Sequence, residues 1–145
     1  MNTTRPQKVF ISRTSKGLSG IAEKVAAVLR RRGMEVIIQT EFLPHWASVR
    51  QMLQDRLKDC DAAICLIGPA HGGEPNDAIT GLKDPRTEGK HFSFTQIEFL
   101  VARDLPRPVF TFVVSGADIV EPFEAEAPDL AARQQQFIKD FAKDT

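Results

Sequence analysis

Ser93-Phe94-Thr95-Gln96-Ile97-Glu98 concentrates two hydroxyls, an amide and a carboxylate at the mouth of a predicted helix. Ser93 is placed to cap that helix, and Gln96, three residues on, completes the spacing of a capping box. Thr95 and Glu98 are three apart and share a helical face while Ile97 and Val101 point elsewhere, so Glu98 need not face solvent. A carboxylate in such a place can hold hydroxyl groups and stabilise positive charge developing on a substrate. The bland alternative is a glutamate that solvates the helix or favours its positive N-terminal end, as an arbitrary glutamate usually does. Arg13, just after the apolar run Val9-Phe10-Ile11-Ser12, could hold a phosphate by a bidentate contact or simply be solvated. Trp46, the single tryptophan, could stack an aromatic ring from a loop or pack on the next helix.

These groups must be positioned by the elements around them. Val9 to Ser12 reads as a buried parallel strand running into a polar, glycine-bearing loop from Arg13 to Gly20. From Ile21 to Arg32, Ile21, Val25, Val28 and Leu29 recur at helical spacing, with Ser19 as cap and Gly33 after the basic end. The run Arg30-Arg31-Arg32 complements that helix C-terminus and is assigned no function. Glu35 to Gln39 is a second strand, and the loop Thr40 to Ala47 carries Phe42 and Trp46. Val49, Met52, Leu53 and Leu57 mark a second helix, and Ala62 to Ile67 a third strand. A long polar stretch, Gly68 to His91, is expected to flank a site, because structureless loops of that length in a compact domain are uncommon unless functional or mobile. Phe94, Ile97, Leu100 and Val101 form a third helical stripe that Pro106 and Pro108 end. Val109 to Val114 is a fourth buried strand, and about Pro128 to Lys143 a last helix with Leu130, Phe137, Ile138 and Phe141 on one face.

Such alternation predicts an α/β fold, a flavodoxin-like three-layer sandwich whose central parallel sheet of four to five strands is covered on both faces. Ligands in these sheets bind beyond the carboxyl ends of the strands, where strand order reverses. That crevice would gather Ser12, Arg13, the Thr40 to Ala47 loop, Gly68 and the start of the Ser93 helix. At 145 residues the chain is expected to be one domain. It ends after a helix, so either the sheet has four strands or the sequence is the N-terminal part of a longer protein.

Lys+Arg and Asp+Glu both number 19, which supplies no positive field for nucleic acid or an acidic membrane. Met1 to Lys8 is polar, without an apolar signal segment, and no stretch approaches a bilayer span. Two cysteines, Cys60 and Cys65, make neither a disulfide framework nor a zinc spacing, which fits a reducing cytoplasm. Cys65, inside a strand, is expected in the core. His45, His71 and His91 lack second ligands at helical or strand spacing and are expected to be solvated, so no metal is implied. Gly72-Gly73 and Gly17-Leu18-Ser19-Gly20 match no nucleotide-binding fingerprint.

Val9-Phe10-Ile11-Ser12 after a basic residue resembles the opening strand of TIR domains, and Ser93-Phe94-Thr95-Gln96-Ile97-Glu98 is similar to their serine-aromatic-small-x-x-glutamate signature. Gly68-Pro69-Ala70-His71-Gly72-Gly73-Glu74-Pro75 and Pro108-Val109-Phe110 further resemble bacterial TIR-like domains fused to sensor ATPases and tetratricopeptide proteins. The likeness covers about Lys8 to Val114. It departs from many members at Thr95, where they have cysteine, at Phe94, where they have tryptophan, and in the length of the loop to His91.

The resemblance implies cleavage of the nicotinamide–ribose bond of NAD, which is substrate and not cofactor, to nicotinamide and linear or cyclic ADP-ribose in bacterial defence or signalling. It implies Glu98 as the catalytic carboxylate, with Phe10, Ile11, Ser12, Arg13, Trp46, Ser93 and Thr95 lining the substrate. Self-association through TIR–TIR contacts and a fused sensor or effector domain are implied as well. Two alternatives stand beside it. One is a non-enzymatic TIR-type interaction module. The other is a nucleoside deoxyribosyltransferase-like enzyme, whose usual aspartate and glycine before the helix are absent from Lys90-His91-Phe92-Ser93.

Overall fold

The computed structural model of the chain describes residues 7–14, 17–39, 42–119 and 125–142. Met1 to Pro6 of the polar start, Thr40 at the head of the aromatic loop and Lys143 at the end of the last predicted helix lie outside them. In chain order the elements are β1 (Lys8–Arg13), α1 (Ser19–Arg31), β2 (Glu35–Ile38), α2 (Trp46–Lys58), β3 (Ala62–Ile67), α3 (Phe94–Asp104), β4 (Val109–Val113) and α4 (Pro128–Phe137). One-turn 3-10 helices lie at Pro85–Thr87 and Gly116–Asp118, and α4 runs on into a π-helical turn, Ile138–Ala142. The strands lie in the order β2-β1-β3-β4, and every pairing is parallel. This is the flavodoxin-like order with four strands among the described residues, and its switch point falls between β1 and β3.

Because successive strand residues point to opposite faces, the sheet sorts its apolar residues into two cores. Val9, Ile11 and Leu66 pack with Leu18, Ala22 and Ala26 of the α1 side. Phe10, Ala63, Cys65 and Ile67 pack with α2, α3 and α4 through Leu53, Ile97, Phe99 and Phe137. Cys65 is core, as expected, and burial pushes its thiol up.

Helix α1 differs from expectation at one end and matches it at the other. Ser19 is its first residue and not its cap, because fully buried Leu18 anchors the entry and accepts the first bond from the Ala22 amide. At the far end Gly33, at φ +84°, donates to Arg30 O while Met34 donates to Leu29 O. That pair of bonds closes the helix in a Schellman turn.

β4 is not a buried strand. It ends the row of strands, and α1 packs against β1 and β2 at the opposite edge. Phe110 and Phe112 are therefore 52% and 54% exposed, so coverage of the sheet stops short of β4 on that side. Among the described residues no helix is long and apolar enough to cross a membrane.

Candidate functional site

Ser12 lies at the carboxyl end of β1 in register with Cys65 of β3, beside the switch point. It shares the α3-side face with Phe10, two residues earlier, and is fully buried. Helix α3 is aimed at this end by its capping box: Ser93 Oγ accepts from the Gln96 amide at 3.2 Å and Ser93 N donates to Gln96 Oε1 at 3.0 Å. In the same first turn Thr95 Oγ1 donates to Arg13 O at 3.2 Å, joining the helix to the end of β1. Glu98 then meets Ser12, whose hydroxyl donates to Glu98 Oε1 at 2.5 Å.

Glu98 is only 3% exposed. Burial pushes its carboxyl from an ordinary 4.5 up to about 8, against the opposing effects of the Ser12 hydrogen bond and the Arg13 charge. The protonated form therefore predominates at neutral pH, and an approaching cation would favour ionisation. A buried, perturbed carboxyl at the carboxyl end of a central strand has the properties of a functional group.

Ser12, Arg13, Ser93, Thr95 and Glu98 are thus brought together. Ser93 and Thr95 spend their hydroxyls on holding α3, which makes them positioning residues. Phe10 and Ile11 do not line the crevice with their side chains. Both are fully buried, on opposite faces of a sheet covered on both sides at β1. Trp46 is not a loop residue either: it opens α2, is buried, and donates from Nε1 to Thr80 O at 3.1 Å. The exposed aromatic of this segment is Phe42, whose ring lies 5.1 Å from that of Phe94.

His71 overturns the expectation of solvated loop histidines. It is 1% exposed, and its Nε2 lies 2.6 Å from Glu74 Oε2 while Nδ1 lies 3.3 Å from Gln96 Nε2. Because an amide nitrogen only donates, Nδ1 accepts and Nε2 carries the proton toward Glu74. Gln96 also donates to Gln134 Oε1, and Gln134 donates to Gly68 O at 2.7 Å. Glu126 accepts from the His71 and Gly72 amides at 2.6 and 2.9 Å. This network pins the long loop to α3 and α4, and sequence reasoning missed it apart from the capping role of Gln96. The available signal was His71 followed by Glu74, in a loop too long to be structureless without reason. His45 and His91 are exposed as expected. Among the described residues no group of three His, Cys, Asp or Glu side chains could hold a metal.

Neither a curated protein nor a solved structure matches the sequence. A family model does: the one described as a domain of unknown function, DUF4062, matches residues 8–145. By that match, which takes in every described element, the chain belongs to the DUF4062 family.

Proposed function

We propose that this domain is a TIR-like NAD glycohydrolase whose catalytic carboxylate is Glu98. The observation that carries the reading is the buried Glu98 carboxyl, held by Ser12 at the β1/β3 switch point. Cleavage of the nicotinamide–ribose bond sends its electron pair to the nicotinamide nitrogen, so the base leaves neutral without needing an acid. The ribose becomes oxocarbenium-like, and water completes the hydrolysis. A carboxylate beside that ring binds hydroxyls and opposes the positive charge where it develops. The cationic nicotinamide itself favours ionisation of Glu98, and Phe42 with Phe94 offers the base an aromatic wall. Because Glu98 is buried, the crevice must open to admit a dinucleotide, and coupling of that opening to self-association fits the exposed β4 face. Two free cysteines fit a cytoplasmic location, with a fused sensor or effector domain in a bacterial defence or signalling protein.

The test is NAD consumption by concentrated protein with chromatography of the products, Glu98→Ala beside the wild type. Nicotinamide release that the variant lacks is the expected result; none from folded, assembled protein would overturn the reading. Activity should also carry the signature of a carboxylate that must ionise. In the free enzyme kcat/KM should fall about tenfold per pH unit below about pH 8. A profile that is flat from pH 6 to 8 would show that the titration of Glu98 is irrelevant.

The second reading is a non-enzymatic interaction module. It is favoured by the enclosure of Glu98, which would then be structural, and by the exposed Phe110 and Phe112. It predicts association without nicotinamide release.

A further inference from the structure

A cavity of about 270 Å³ lies between the long loop, the start of α3 and α4, and neither Ser12 nor Glu98 lines it. Phe92, Phe137 and Phe141 line its apolar part. Their rings are fixed against one another, Phe137 and Phe141 stacked at 5.0 Å and Phe92 edge-on to both at 6.0 Å. This rigid apolar wall is what a flat ring can rest against.

The polar lining is biased toward donors. Among the described residues Arg86, Lys90 and Arg133 are its cations and Asp140 is its one carboxylate. Asp140 Oδ1 already accepts from Gln136 Nε2 at 2.8 Å. Arg86 is committed too: Asp84 holds its guanidinium, and its Nη1 donates to Asp140 O. Arg133 is held through one terminal nitrogen only, Nη2, by Glu74 at 2.8 Å and His91 O at 3.2 Å. Its orientation is fixed while Nη1 and Nε stay available. Among the described residues the Lys90 ammonium and the His91 ring have no hydrogen bond or ion pair. Three donor groups, Lys90, His91 and Arg133, therefore line one cavity whose single acid is engaged.

We propose that this cavity is a binding site for a phosphate monoester carrying a ring, the chemistry of a nucleoside monophosphate. The phosphate meets Lys90, His91 and Arg133, an arrangement of donors suited to its oxygens, and the ring lies along Phe92 and Phe137. At about 270 Å³ the cavity is at the small end of ligand sites, which run from roughly 300 to 1,000 Å³, and suits a nucleoside monophosphate better than a dinucleotide. It is separate from the Glu98 crevice, and its occupancy does not depend on NAD cleavage. The buried His71–Gln96 pair is part of its lining, so a bound ligand would also touch the residue that completes the capping box of α3.

The test is calorimetric titration of the full chain with adenosine 5′-monophosphate, adenosine and inorganic phosphate, beside Lys90→Glu. Lys90 is exposed and without an ion pair, so this variant should fold. Adenosine 5′-monophosphate should bind at least tenfold more tightly than inorganic phosphate or adenosine, and Lys90→Glu should weaken it at least tenfold. Absence of binding overturns the proposal, as does affinity unchanged in Lys90→Glu. Equal affinity for inorganic phosphate and the nucleotide would overturn the ring's part in it, and equal affinity for adenosine and the nucleotide that of the phosphate. If Lys90→Glu unfolds, Arg133→Lys, which keeps the charge but loses the fork, should weaken binding severalfold in protein with an unchanged melting temperature; undiminished affinity there overturns the proposal.

Discussion

Glu98→Gln is expected to be more stable than the wild-type protein at pH 8, by on the order of 4 kcal/mol, with the gain falling below about 1 kcal/mol at pH 5. The sign follows from proton binding. Between the ordinary 4.5 and about 8 the folded protein keeps a proton on Glu98 that the unfolded chain has released. Stability therefore falls by about 1.4 kcal/mol per pH unit across that window, and below it both states hold the proton and nothing is lost. Glutamine is neutral at every pH, has nearly the same shape, and offers Ser12 Oγ the same acceptor. Subtracting the variant's pH profile from the wild type's removes all other titrations. At pH 8 the difference should raise the thermal midpoint by on the order of 10 °C. A gap between the two proteins that does not change from pH 5 to 8 would show that Glu98 is not held neutral by burial. If Glu98 is catalytic, the same variant loses nicotinamide release while gaining stability, the trade expected where a destabilised group is kept for its chemistry.

Phe99→Ala should have the opposite effect on stability, a loss of about 3–5 kcal/mol. Phe99 is fully buried in the α3 face that meets α4, with its ring 5.8 Å from Phe137 and edge-to-face with it. The Arg103 guanidinium lies 5.3 Å from its centroid. Truncation leaves a cavity that rings already packed edge to face cannot close, and domain stabilities of about 5–15 kcal/mol leave little in reserve. The seating of α3 that brings Glu98 to Ser12 depends on this contact, so any activity should fall at temperatures where the variant is still folded. Urea unfolding measures the loss. A cost below about 1 kcal/mol would mean that α3 is held mainly by its cap and by Thr95.

Elements whose identity depends on local pattern were legible from residues alone. The sequence predicts β3 at its observed boundaries because six consecutive uncharged residues, Ala62 to Ile67, suit a strand buried on both faces. The start of α3 was legible because a capping box is a contact between residues three apart. Chain alternation and the right-handed crossover rule point to a doubly wound parallel sheet, and the choice between its two common strand orders is settled by the observed order β2-β1-β3-β4. Proximity of Ser12 to Glu98 followed from the same topology, but the direct hydrogen bond across 86 positions did not.

What local pattern could not supply is the environment of each side chain. Val109 to Val114 reads as buried because its composition is that of a central strand, and its exposure arises only from being last in the sheet. Trp46 and Phe42 are equivalent aromatics in one sequence segment. Thr80, 34 positions away, draws the indole of Trp46 into the core, while Phe42 stays at the surface against Phe94. His71 has Glu74 three residues on, but its burial rests on partners distant in the chain, Gln96 of α3 and Glu126, which accepts from its amide. Period, capping and composition act within a few residues and so determined the elements and the α/β class. Burial, pKa and hydrogen-bond partnership are set by atoms distant in the chain, so only the tertiary structure decided that Glu98 is neutral and enclosed, and which aromatic rings face the solvent.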